Sequence, residues 1–253
     1  MIRFENVTKM LGGRKVLSDL SFEIRKGEVF TIVGSSGSGK SVMLKHIVRL
    51  LTPTSGAVWV GDTKISTAEG RALEKARDHF GYLFQGGALL GWMSVYENVA
   101  LPLREKTRLN AAAMHRRVME VLKMVELEHD GDKLPNEISG GMQKRAGLAR
   151  AIVRQPEIVL YDEPTSGLDP VTSRTIDTLI RRLNTELGIT SVVVTHDLQG
   201  ALTIADRIAM LAEGQFIALD TPAAFIKTTQ PKARAFLDAQ FISEENFASH
   251  KDK

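Results

Sequence analysis

Residues 34–41 read GSSGSGKS, a spacing that suits one kind of chemistry, the cradling of phosphate. The loop Gly34-Ser35-Ser36-Gly37-Ser38-Gly39 lets backbone N–H groups wrap an oxyanion without Cβ clashes. Lys40 then supplies a point charge to the outer phosphates, and the Ser41 hydroxyl is placed to ligate Mg²⁺. The apolar run VFTIV precedes the loop and an apolar-periodic helix follows it, adding the positive end of its dipole. A flexible Gly/Ser linker with an accidental lysine would lack this framing. The stretch predicts a nucleotide site.

Three other places carry polar groups where apolar strands end. IVLYDE finishes an apolar run in Asp162 and Glu163. Two adjacent carboxylates carry a desolvation cost unless they hold a metal or perform proton chemistry. Asp162 is placed to hold Mg²⁺, often through water, and Glu163 to polarise an attacking water; a helix-capping acid pair is the alternative. Gln85 and His196 are each the first strongly polar residue after an apolar strand, where ligands of open α/β sheets bind. A lone His in VVVTHD is by default a turn histidine, but its company favours a γ-phosphate contact. Gln85 could sense either Mg²⁺ or the attacking water.

Residues 138–145, ISGGMQKR, look like half of an anion site. Ser139 can cap a helix, Gly140 and Gly141 permit close approach, and the first-turn N–H groups point outward. No lysine or metal-binding hydroxyl sits where a complete triphosphate site needs one.

The elements that must position these groups alternate along the chain. Strands are expected at IRFENV, LSDLSFEI, GEVFTIVG, AVWVGD and HFGYLFQ, with a helix from Gly39 to about Leu51. From about Leu89 to Arg154 the pattern turns helical. Asn110 is positioned to cap a helix over 111–128 whose one face carries Met114, Val118, Val121, Leu122 and Val125. EIVLY and SVVVT are short, β-branched and apolar, as buried parallel strands are, and VTSRTIDTLIRRLNTEL between them suits a crossover helix. Short helices are expected near Pro222–Thr228 and at 231–240, followed by a frayed polar end.

The bulk numbers bound the rest. The chain has 253 residues, 43% hydrophobic and 25% charged, with a net charge of +3 from interleaved signs. A pI of 9.1 suits an anionic ligand but gives poor support for nucleic-acid binding. There is no cysteine, hence no disulfide or thiolate chemistry, as in a reducing compartment. No secretory pattern opens the sequence, and no run reaches the ~18 apolar residues of a membrane helix, so any membrane role is expected to be peripheral.

In their order, GSSGSGKS, Gln85, ISGGMQKR, IVLYDEPTSGLDP and VVVTH resemble the motifs of ATP-binding-cassette (ABC) ATPases. The resemblance spans residues 1–220. It implies an α/β, P-loop NTPase fold: a RecA-like core, an antiparallel β subdomain, an inserted helical subdomain at about 88–153, and a C-terminal helical extension at 221–253. It implies ATP and Mg²⁺, with Ser41, Gln85 and Asp162 toward the metal, and a head-to-tail dimer with a second copy. There Ser139, Gly140 and Gly141 would face the γ-phosphate held by the partner, and Asp169 of SGLD would cross the interface. Integral-membrane permease subunits are the implied partners, at the cytoplasmic face of a bacterial inner membrane; nucleic acid is not one.

Met142, where transporter ATPases usually carry Gln, resembles the lipid-transport ATPases of Mla-type, MCE-associated systems. So do FQGGALLGWMSVYENVALPLRE (84–105) and ARAFLDAQF. That subgroup implies an MCE-domain protein and a small cytosolic regulatory subunit as further partners; the alternatives are an ATPase subunit for an amino acid, ion or lipoprotein, or a non-transport cassette protein. Trp92 and Met93 are candidates for a permease-binding groove, while Leu89 and Leu90 could equally be core. One departure stands out: Leu11 occupies the position where the family commonly has an adenine-stacking aromatic, leaving Arg14 or Val16 as substitutes.

Overall fold

The computed structural model describes residues 1–243; the frayed end expected beyond them lies outside the described residues. Along the chain run β1 (Ile2–Leu11), β2 (Arg14–Ile24), β3 (Val29–Val33), α1 (Lys40–Ile47), β4 (Ser55–Val60), β5 (Thr63–Lys64) and α2 (Gly70–Arg77). Next come β6 (Phe80–Leu83), α3 (Val95–Lys106), α4 (Ala111–Met124), α5 (Gly140–Ile152), β7 (Ile158–Asp162) and α6 (Pro170–Leu187). The chain closes with β8 (Thr190–Thr195), α7 (Leu198–Ile204), β9 (Arg207–Ala212), β10 (Gln215–Asp220), α8 (Pro222–Phe225) and α9 (Pro231–Asp238). It divides into two compact units, Met1–Arg77 with Val192–Lys253, and Asp78–Ser191.

In the first unit, β1 alternates buried Ile2 and Phe4 with exposed Arg3, the signature of a sheet covered on one face. It sits in an antiparallel sheet of order β2-β1-β4-β5. A mixed sheet holds β10, β9, β3 and β8 in that order, with β9 parallel to β3 and antiparallel to β10. The five residues of β3 are all buried, which is why that strand reads as a continuous apolar run. Phe22 joins the sheets: its ring stacks on Phe4 at 4.6 Å, on Phe30 at 5.7 Å, and meets Phe216 at 4.8 Å. Helices α7, α8 and α9 cover the other face, burying Leu198, Leu202, Phe225, Ile226 and Leu237 against Val33, Ile208 and Met210. The C-terminal helices up to residue 242 are thus part of this core.

In the second unit, β6 and β7 are parallel, with Phe80 opposite Ile158 and Leu83 opposite Tyr161. The helices α3, α4 and α5 occupy its middle. Ser94 and Glu97 form a reciprocal capping box at the start of α3. Asn110 caps α4 as its position predicts, its Oδ1 accepting the Ala113 N–H at 2.9 Å. Val118, Val121, Leu122 and Val125 are fully buried, whereas Met114 is only half-buried at the edge of the stripe.

Strands β1 and β2 run longer than the sequence expectation, to Leu11 and from Arg14, and two helices end earlier. Helix α1 stops at Ile47 rather than Leu51, because Arg49 adopts a left-handed φ of 58° and Leu50 bonds back to the Lys45 carbonyl. Helix α4 stops at Met124, with Glu126 left-handed at φ 59°. Both residues end a helix without a glycine to announce it. The elements β5, α2, α7 and β9 add to those expected, and β10 takes the place of the small strand or turn expected beyond Gly214.

Candidate functional site

The candidate residues fall into two groups, one per unit. The first is Gly34–Ser41 with His196. Buried β3 delivers the chain into the loop, and α1 starts at Lys40 with Gly39 as its left-handed N-cap (φ 107°). Gly34 is forced by close approach: at its φ of 155° a Cβ would lie 2.4 Å from the Leu211 carbonyl oxygen. Lys40 is buried, and its ammonium donates to the carbonyls of Gly34 (2.8 Å) and Ser35 (3.1 Å), drawing the loop around its own cation. The Ser38 hydroxyl is buried among the loop atoms with no hydrogen-bond partner. A buried hydroxyl without a partner is costly, and a phosphate oxygen would satisfy it.

Beside this loop lies a cavity of about 430 Å³, lined by Ser35–Ser38 together with Arg14, Lys15, Val16, Met210, Ala212, Glu213, Gly214 and Lys232. Three cations face one carboxylate, and Lys232 of α9 is paired with that carboxylate, Glu213. That hydrogen bond and the lysine's charge hold Glu213 below the usual carboxylate range. The lining suits an anion with an apolar or planar body. Leu11, 39% exposed, is not among the lining residues, while Arg14 and Val16 are. His196 is exposed at the end of β8, ahead of α7, which Asp197 caps through the Gly200 N–H.

The second group is Gln85, Ser139–Gly141, Asp162, Glu163 and Asp169. Asp162 and Glu163 close buried β7 and are 8% and 9% exposed. Asp162 Oδ2 accepts a hydrogen bond from the Tyr82 hydroxyl at 3.3 Å. Burial, with Asp162 beside it, pushes the Tyr82 phenol well above its ordinary pKa, so it stays a donor. Glu163 adopts a left-handed φ of 49°, a cost of order 1–3 kcal/mol for such a residue. Gln85 follows β6 on an exposed loop.

Ser139 caps α5, its Oγ accepting the Met142 N–H at 3.3 Å. Gly140 stays exposed, but Gly141 is buried, and a Cβ there would sit 2.5 Å from Thr172 Cγ2. The sequence reading gave both glycines to anion approach; Gly141 is also demanded by the contact of α5 with α6. Asp169 caps α6, its Oδ1 accepting the Val171 and Thr172 N–H groups at 3.0 Å each. The Thr172 hydroxyl bond, ahead of the Thr172 backbone N–H, holds Asp169 below the usual carboxylate range. The second unit therefore sets two capped helix N-termini side by side.

Sequence reasoning missed three residues that hold the loop between Gln85 and α3. Asn98 is fully buried, accepting the Leu90 N–H and donating to the Leu90, Met93 and Ser94 carbonyls. Arg150 donates to the carbonyls of Gly87 (2.7 Å) and Ala88 (2.8 Å). Lys144, only 5% exposed, donates to the Gln85 carbonyl and to the Glu163 carbonyl at 3.3 Å. The available signal was a polar residue on the buried face of an apolar-periodic helix.

A cavity of about 330 Å³ opens nearby, lined by Phe80, Gly81, Tyr82, Phe84, Ala88, Leu101, Pro102, Arg150, Ala151 and Arg154. The rings of Tyr82 and Phe84 stack at 4.1 Å, and Phe84 is 42% exposed. Trp92 and Met93, expected at such a groove, do not line it, although Trp92 is 76% exposed. Leu89 and Leu90 are half-buried. No described helix is long and apolar enough to cross a membrane.

A phosphate loop led by a buried strand, an acid pair ending another, and a capped SGG helix define an ATP-handling α/β protein. The family model described as ABC transporter matches residues 17–166, and the chain belongs to that family as an ATP-binding and ATP-hydrolysing subunit. The Mycobacterium leprae protein named probable ribonucleotide transport ATP-binding protein mkl is 39% identical over 252 residues, all of this chain and 73% of that protein. The Escherichia coli K12 protein named intermembrane phospholipid transport system ATP-binding protein MlaF is 37% identical over 238 residues, 94% of this chain and 88% of that protein. Among solved structures, the dimeric post-hydrolysis state of the cassette MJ0796 bound to ADP and Pi superposes with a TM-score of 0.80 at 38% identity. It covers 88% of this chain and 99% of that one.

Proposed function

We propose that the chain is the energising subunit of a transporter that moves lipid, specifically phospholipid between bacterial membranes, as in the upkeep of outer-membrane lipid asymmetry. The observation that carries the substrate assignment is the likeness to MlaF across 94% of the chain. Met142 and the stretch 84–105 support it. In this reading Gly34–Ser41 bind the phosphates, Arg14 and Val16 border the base, His196 meets the γ-phosphate, and Glu163 polarises the attacking water. Mg²⁺ takes hard oxygen ligands; the Ser41 hydroxyl, Gln85 amide and Asp162 carboxylate are of that kind, and the ion would neutralise phosphate charge.

Two copies close head to tail, so that Ser139, Gly140 and Gly141 of one face the phosphates held by the other, with Asp169 at the interface. The dimeric form of MJ0796 supports this arrangement. The chain acts peripherally at the cytoplasmic face of the inner membrane. The Phe84–Pro102 cavity receives a helix of a membrane permease, and an MCE-domain protein and a small cytosolic regulatory subunit complete the assembly.

Purifying the native membrane complex and identifying its other subunits and bound lipids tests the substrate. Co-purified phospholipid with an MCE-domain protein is the expected result; a permease with a different bound solute overturns the lipid assignment. Glu163→Gln tests the chemistry: turnover is lost and an ATP-bound dimer accumulates on size exclusion. Retained hydrolysis by that variant removes Glu163 from its role.

A further inference from the structure

We propose that Lys144 is a positioning residue through which the SGG helix controls the reacting groups of its own chain. Strands β6 and β7 pair in parallel register. Leu83 lies opposite Tyr161 at the last rung, so Gln85 and Glu163 stand at the same place, two residues beyond it. There the carbonyls have left the strand ladder, and that of Glu163 accepts the Ser166 N–H at 3.2 Å. The buried Lys144 ammonium donates to both carbonyls at once. A single cation therefore ties the backbone of the Gln85 loop to the backbone of Glu163, whose left-handed φ needs such support.

Lys144 also sits five residues into α5 from its cap, Ser139, roughly 7.5 Å along one stiff helix. The same element thus presents an exposed anion-seeking end and a buried cation. Burial lowers the Lys144 pKa, while Glu163 and then Asp162 raise it. Resting on the dimer described under Proposed function, this gives α5 two duties. Its N-terminus serves the nucleotide held by the partner, and Lys144 serves the nucleotide held by its own chain. Phosphate arriving at one site is felt at the other through α5, with no further moving part.

The first test compares Lys144→Met with Lys144→Arg in the full chain. Met lowers kcat at least tenfold while KM and the ATP affinity of the isolated chain stay within twofold; Arg restores kcat to within threefold of the parent. Should the Met variant fail to fold, Lys144→Gln, which keeps a donor, gives an intermediate kcat. Parental kcat in the Met or Gln variant overturns the proposal.

The second test uses mixed dimers of differently tagged copies. With Ser139→Ala in one copy and Lys144→Met in the other, both lesions fall on one nucleotide site and about half the turnover survives. With both changes in the same copy, both sites are hit and turnover collapses. The reverse pattern overturns the proposal, because it makes Lys144 a mere support for the Ser139 end. Ser139→Ala in both copies judges the dimer reading separately: intact turnover there sinks that reading, while the Met/Arg comparison still judges Lys144.

Discussion

Gln240 grips the turn that carries His196: its Nε2 donates to the His196 carbonyl at 3.1 Å, and its Oε1 accepts the Leu198 N–H at 3.1 Å. The pair is 44 residues apart in sequence and joins the segment after α9 to the end of β8. The C-terminal extension thus holds the turn of a candidate γ-phosphate contact.

Gln240→Ala removes both bonds, each worth about 0.5–1.5 kcal/mol. We expect kcat for ATP hydrolysis to fall about threefold to tenfold, with a lower melting temperature. Steady-state kinetics check this; an unchanged kcat would detach the C-terminal segment from the His196 turn.

Gly141→Ala drives a methyl into Thr172, 2.5 Å from its Cγ2. Overpacking of this kind costs about 1–3 kcal/mol. For a chain this long that is about 2–4 °C in melting temperature per kcal/mol. Adding Thr172→Ser removes the clashing methyl and should recover much of the loss. A double-mutant cycle from thermal melts measures the coupling, and strict additivity would deny the contact.

Arg14→Ala should weaken ATP binding by the isolated chain about twofold to fivefold, as loss of a guanidinium beside a planar ring costs about 0.5–1 kcal/mol. Leu11 pairs with Arg14 across the β1–β2 hairpin and shares its face. Leu11→Tyr should therefore tighten binding, since base stacking contributes about 1–3 kcal/mol. Nucleotide titration decides both; unchanged affinity for either variant counts against the assignment of this cavity to the base.

Burial pushes the Asp177 carboxyl up to about 6, with Arg174, 3.2 Å away, pulling the other way. Its folded pKa lies above the unfolded value, so the folded state holds the proton more tightly. Stability then falls as pH rises from about 4 through about 6, by on the order of 3 kcal/mol. Asp177→Asn should raise the melting temperature at pH 7.5 and change it little near pH 4. Equal shifts at both values would contradict the linkage.

Much of this was legible along the chain. Continuous apolar runs gave β3, β7 and β8 because strands buried on both faces need no polar alternation. Asn110 and Ser139 could be read as caps because a cap binds N–H groups two or three residues away. The motif order carried the family for the same reason: phosphate loops and capped helix starts are local devices. Helix ends at Arg49 and Glu126 were not legible, since no glycine marks those left-handed residues.

The sequence by itself determined the P-loop chemistry, the acid pair and the α/β alternation, all set by groups within a few residues of one another. Only the tertiary structure decided that Lys144 reaches carbonyls 59 and 19 residues away. It likewise decided that Asn98 and Arg150 stitch the loop after Gln85, that Gly141 is packed on Thr172, and that Gln240 holds the His196 turn. Such partners are chosen by the folded path of the backbone, which brings carbonyls without ladder partners to whichever buried donor lies nearest. No local periodicity encodes that choice.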